Sequence, residues 1–113
     1  MNDKPTRYYS NKQEKAVAKV ISGKQVVNSG ATRFLKGDVI SDKILVECKT
    51  CKNPKQSFVI KKEWLEKNAE EAFAMNKIYS VLAFSYGGDE DNYYVLDERT
   101  FKKFLEFINS EED

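Results

Sequence analysis

Residues 78–86 read IYSVLAFSY, an almost continuous apolar run rich in β-branched and aromatic side chains. A run of this length, set off from the helical spacing before it, reads as a strand covered on both faces. Such a strand belongs in the interior of a sheet, so the segment commits the chain to helices closing over a sheet.

The neighbouring patterns supply those helices. Residues 11–22 place Glu14, Val17, Ala18 and Ile21 at the i, i+3, i+4, i+7 spacing of one helical face, and Gly23 can end the helix. A short possible strand, KQVV, follows at 24–27, and NSGATRFLK at 28–36 reads as a loop. Strands are expected at 37–40, 43–50 and 57–61, joined by turns at SD and CKNPK into an antiparallel meander. Residues 62–76 form a second helix with Leu65, Ala69, Ala72 and Phe73 on one face. A last strand at 92–97 ends on Asp97, which can cap a third helix carrying the stripe Phe101, Phe104, Leu105 and Ile108. The expected order is helix, three strands, helix, strand, strand, helix. This is an α/β fold with a mixed sheet flanked by helices, in one domain over residues 1–113 with a frayed tail at 110–113.

The chain has no histidine, which removes the usual neutral base and the commonest zinc ligand, so hydrolytic chemistry must rest on carboxylates and lysines. Its two cysteines and the lack of an apolar leader predict free thiols in a reducing, cytoplasmic setting, and no stretch is apolar enough to span a bilayer. The net charge of +1 conceals a polarity. Residues 1–62 carry fourteen Lys and Arg against five Asp and Glu (+9), and residues 63–113 carry five against thirteen (−8). A basic half suits a polyanion partner, although solvated surface lysines would give the same count.

Chemistry concentrates in KILVECKT, residues 43–50. The strand period sends Ile44, Val46 and Cys48 to one face and Lys43, Leu45, Glu47 and Lys49 to the other. A carboxylate and an amine thus project together from a strand too apolar to be a solvent edge, a costly arrangement unless they are paired or bind a metal. Asp38 lies on the preceding strand, and the turn at Ser41 and Asp42 can fold it back beside Glu47. Two converging carboxylates call for a cation, and oxygen-only ligation suits Mg²⁺ or Mn²⁺. Lys49 would stand beside the water that attacks and offset charge on a phosphate. Glu14 adds a carboxylate turned towards the core, explained equally by a metal site or by a first-turn glutamate favoured by the helix dipole.

SGATRFLKGDVISDKILVECKT resembles the core of the PD-(D/E)XK nuclease superfamily, and the Glu14 helix, the NSGATR loop and the GD and ECK elements resemble its small Holliday-junction-resolvase branch. The likeness covers about residues 10–85 in element order. It implies a restriction-endonuclease-like αβββαβ core and metal-dependent cleavage of DNA phosphodiesters. Asp38 and Glu47 would be metal ligands and Lys49 the catalytic lysine, with the main-chain carbonyl of Cys48 a further ligand and Glu14 the helix glutamate. Ser29 falls in the loop that lies over the scissile strand in resolvases. Gly37 stands where the family name has proline.

Around this centre Arg33, Lys36, Lys52, Lys55, Lys61 and Lys62 are candidate phosphate contacts, and Gln56 is a further polar candidate from the third expected strand. The expected partner is branched or junction DNA, with a homodimer supplying the two active sites that paired cuts need. Two rival readings stand beside this one. CKTC is a C-x-x-C motif, but Cys48 sits in a strand rather than at a helix start, and zinc would need more ligands. A nucleic-acid-binding protein could keep the fold without catalysis.

Overall fold

A computed structural model of the protein describes residues 4–26 and 39–111. The elements run α1 (Thr6–Ile21), β1 (Lys24–Gln25), β2 (Val39–Ile40), β3 (Ile44–Lys49), α2 (Lys62–Ala74), β4 (Tyr79–Ser85), β5 (Asn92–Val95) and α3 (Glu98–Ser110). The strands form one mixed sheet in the order β1-β2-β3-β4-β5, antiparallel throughout except where β3 and β4 pair in parallel. The chain is therefore an α/β protein with a five-stranded mixed sheet flanked by three helices, consistent with an αβββαβ-type core.

The apolar run at 78–86 yields β4, which is paired on both edges and buried at Val81, Leu82 and Ala83. α1 covers one sheet face, where Val17 meets Val39, Val46, Val81 and Ala83, with Ile44 and Cys48 packed against them. α2 lies on the other face, which carries the buried Leu45 and Leu82. Buried Asn68 of α2 donates to the Val81 carbonyl at 3.0 Å, just beyond the point where β5 pairing ends at Leu82.

The three-strand meander exists, but with a different first strand. Residues 57–61 form no strand, because β4 returns in parallel beside β3 and takes the edge a third antiparallel strand would need. β1, the start of KQVV, pairs with β2 instead. The hairpin between β2 and β3 closes where Ser41 N–H donates to the Ile44 carbonyl at 3.0 Å, which puts Asp42 and Lys43 at its tip.

Helix ends explain two sequence signals. Ser22 takes the left-handed position after α1 with φ 55°, and Gly23 N–H donates to the Ala18 carbonyl at 2.8 Å in a Schellman arrangement. Gly23 serves a second purpose, since a Cβ there would collide with the Ile40 carbonyl of β2. Asn76, with φ 61°, ends α2 in the same way.

The buried faces are rotated from the expected ones. In α1 they run through Tyr9, Gln13 and Val17, and in α2 through Asn68 and Ala72, leaving Phe73 85% exposed and Leu65 and Ala69 exposed. α3 contains no buried residue. Among the described residues no helix is long and apolar enough to cross a membrane.

Candidate active site

β3 is the third of five strands, and Glu47 and Lys49 pair along its β4 edge, opposite Leu82 and Phe84. They share the face turned to α2. The Lys49 ammonium lies 3.1 Å from the Glu47 carboxylate, and the two side chains are 32% and 13% exposed. This is an ion pair within one strand, at i and i+2, rather than one across a ladder.

The start of α2 completes the surroundings. Lys49 Nζ lies 4.4 Å from the centre of the Trp64 ring, and Lys61 Nζ lies 5.7 Å from the same centre, so the indole is flanked by two cations. Phe58 packs against Trp64 and stacks on Phe84, whose Cα pairs with that of Lys49. These aromatic rings wall one side of the ion pair. α2 follows Lys61, whose side chain makes no capping hydrogen bond, and Trp64 N–H donates to the Lys61 carbonyl at 3.0 Å.

The other sequence candidates fall in several places. Glu14 is half-buried on α1, on the opposite face of the sheet, and accepts from Gln25 Nε2 at 3.0 Å. Among the described residues no hydrogen bond or ion pair joins it to Glu47 or Lys49. The polar residue α1 turns inward is its neighbour Gln13, buried, donating to the Lys49 carbonyl at 2.9 Å and to Asn92 Oδ1 at 3.0 Å. Gln13 thereby pins the end of β3 that carries Lys49. Asp38, Ser29, Arg33 and Lys36 lie outside the described residues.

Lys52 and Lys55 belong to the segment after β3, tied to the end of β4 where Gly88 N–H donates to the Lys52 carbonyl at 3.4 Å and Lys55 N–H donates to the Tyr86 carbonyl at 2.7 Å. Lys55 and Gln56 are exposed, Gln56 in a bend because the third expected strand is absent. Lys62 is exposed on the first turn of α2, with a 4.0 Å contact to Glu66. The basic candidates described thus bracket the β3 end and the α2 start.

Cys48 and Cys51 are not joined in a disulfide. Cys48 lies within β3 and Cys51 in the loop after it, its sulfur 3.9 Å from the Ser85 carbonyl, so neither sits at a helix N-terminus that would favour a thiolate. Burial, with the Cys48 thiol nearby, pushes the Tyr94 phenol up.

Trp64 and Gln13 escaped the sequence reading. The one available signal for Trp64 was a lone tryptophan beside two lysines at an expected helix start. Gln13 gave none, since a glutamine next to a glutamate on a helix does not reveal which turns inward.

An α/β domain with a Glu–Lys ion pair on one face of an interior strand is the class that fold and site define. No protein-family model, no curated protein and no solved structure matches this chain.

Proposed function

We propose that this chain is a divalent-metal-dependent DNA endonuclease of the PD-(D/E)XK kind, selective for branched DNA in the manner of Holliday-junction resolvases. The observation that carries the reading is the juxtaposition of Glu47 and Lys49 on an interior strand, beside the uncapped, lysine-bearing start of α2. A carboxylate and an amine held in that position are equipped to bind a cation and a phosphate side by side.

All the candidate donors are oxygens, the chemistry Mg²⁺ and Mn²⁺ prefer. Among the described residues no group of three or more His, Cys, Asp or Glu comes together, and the reading takes its second carboxylate from Asp38. Val39 pairs with Val46, and the reading requires that antiparallel ladder to continue by one residue, setting Asp38 opposite Glu47. The Cys48 main-chain carbonyl would be a third donor, and Glu14, on the opposite face of the sheet, stays outside the site. Bound there, the ion supplies Lewis acidity at a phosphate oxygen and activates water for attack.

Lys49 offsets the charge that grows on the phosphate. Lys52, Lys55, Lys61 and Lys62, with Arg33 and Lys36, grip the backbone on either side of the cut. Ser29 meets the scissile strand. Two cysteines outside any disulfide fit a reducing compartment such as the cytoplasm. Paired cuts across a junction require a homodimer.

The test incubates the protein with four-way junction, linear duplex and single-stranded DNA, in Mg²⁺ and in EDTA, beside Glu47→Ala and Lys49→Ala. Junction cleavage that needs Mg²⁺ and both side chains is the expected result. Cleavage persisting in EDTA or in Glu47→Ala would remove the metal mechanism. Binding without cutting in Mg²⁺ and Mn²⁺ would favour a non-catalytic DNA-binding role.

A further inference from the structure

Aromatic rings gather at one end of the sheet, on the face that also carries Glu47 and Lys49. The registers Lys49 with Phe84 and Phe84 with Tyr93 set a lysine, a phenylalanine and a tyrosine in one row across β3, β4 and β5. Phe84 stacks on Phe58 at 5.1 Å with 27° between the ring planes, and on Tyr93 at 5.7 Å with 29°. Tyr86 stands nearly upright to both Phe84 and Tyr93, at 79° and 72°. Trp64, against Phe58, closes the row beside Lys49.

α2 packs on β3 and β4 and covers the row at its Trp64 end. The β5 end is open, since Tyr93 is 53% exposed although its ring lies against two others. Cross-strand stacking on Phe84 accounts for the position of Tyr93 but leaves half of its surface in water. Cations stand towards both ends of the row. Lys49 and Lys61 flank Trp64 at the covered end. Exposed Lys55 belongs to the segment tied to the other end, where its N–H donates to the Tyr86 carbonyl at 2.7 Å. In the acidic loop between β4 and β5, Asp89 is drawn to Lys12 of α1, the helix on the opposite face. An open ring set between cations suits a ligand that is flat, aromatic and anionic on either side. An unpaired nucleobase between its two phosphates has that form.

We propose that Tyr93, backed by Phe84 and walled by Tyr86, stacks an unpaired base of the DNA strand that enters the Glu47 and Lys49 site. The proposal rests on the nuclease reading for its ligand and adds a preference within branched DNA. A four-way junction with every base paired offers no such base, whereas a fork or a flap does.

Fluorescence anisotropy in EDTA compares two forked duplexes of equal length. The single-stranded arm of one carries thymines, and that of the other is abasic at the same positions, so the phosphate charge is constant. The wild type and Tyr93→Phe are expected to bind the thymine arm on the order of tenfold more tightly than the abasic arm. Tyr93→Leu keeps apolar bulk without the ring, and should bind both arms as the wild type binds the abasic one. Circular dichroism verifies folding of each variant. A 2-aminopurine placed among the thymines should lose fluorescence on binding the wild type, a readout that needs no variant. A wild type that binds neither arm, that binds both equally or that leaves 2-aminopurine unquenched overturns the proposal, as does a preference that survives in Tyr93→Leu. Mg²⁺ is then added to the same forks and to a fully paired junction. A Tyr93-dependent preference for bases without any cleavage would sink the nuclease reading and leave the stacking site standing. Cleavage without that preference would do the reverse.

Discussion

Lys49 is held between a carboxylate and an indole, and its two neighbours make its removal measurable in two ways. Lys49→Ala strips the cation from a Glu47 side chain that is only 13% exposed, which should cost about 1–3 kcal/mol in a thermal or urea melt. The same change should lower single-turnover junction cleavage by roughly 10²–10³-fold, more than so small a stability loss explains in a protein that remains folded. A variant that loses stability but cuts normally would assign the pair to structure alone. Glu47 and Lys49 were legible in the sequence because the strand period of two holds whatever the strand pairs with. Trp64 was not, since its place over Lys49 depends on how α2 lies on the sheet. The inward polar residue of α1 was read one position late, as Glu14 rather than Gln13, because helical spacing alone does not fix the rotation of α1 over β3.

The end of β5 shows an element signal that held. Asp97 accepts from Thr100 N–H at 2.8 Å and caps α3. Hydrogen bonding from Thr100 holds its carboxyl below the ordinary carboxylate value. A lowered folded-state pKa contributes stability that is present above the unfolded-state value and is lost as pH falls through the folded one. Protection of the Thr100 amide against hydrogen exchange should therefore fall in acid, and Asp97→Ala should remove about 1 kcal/mol of helix stability at neutral pH. Asp97→Asn keeps an acceptor without a charge and should lose the acid dependence. Protection that ignores pH in the wild type would contradict this account of the cap. Elements bounded by local chemistry, such as this cap and the Ser41 to Ile44 turn, were readable. The strand expected at 57–61 was not, because whether an apolar segment becomes a strand depends on a free sheet edge, and β4 had taken it.

Across the whole molecule, the change of charge at residue 62 falls at the first turn of α2. The basic half supplies β3 and the lysines at the start of α2, and the acidic half begins immediately after them. If that half meets DNA, affinity should fall linearly with the logarithm of salt concentration. Lys61→Ala with Lys62→Ala should weaken binding to all sequences alike and reduce the slope by about 2, as fluorescence anisotropy would measure. An unchanged slope would remove both residues from the interface. The order of elements and the interior strand were visible from composition and period, whereas the exposed face of α3 was not, because a helical stripe looks the same whether its own chain or another covers it. The claim on which the function rests is a divalent cation held between Glu47 and Asp38. Electron paramagnetic resonance of Mn²⁺ titrated into the wild type, Glu47→Gln and Asp38→Asn, without DNA, tests it most directly. The expected result is bound Mn²⁺ in the wild type and at least a tenfold loss of affinity in each carboxamide variant. Equal binding by the wild type and Glu47→Gln would contradict it.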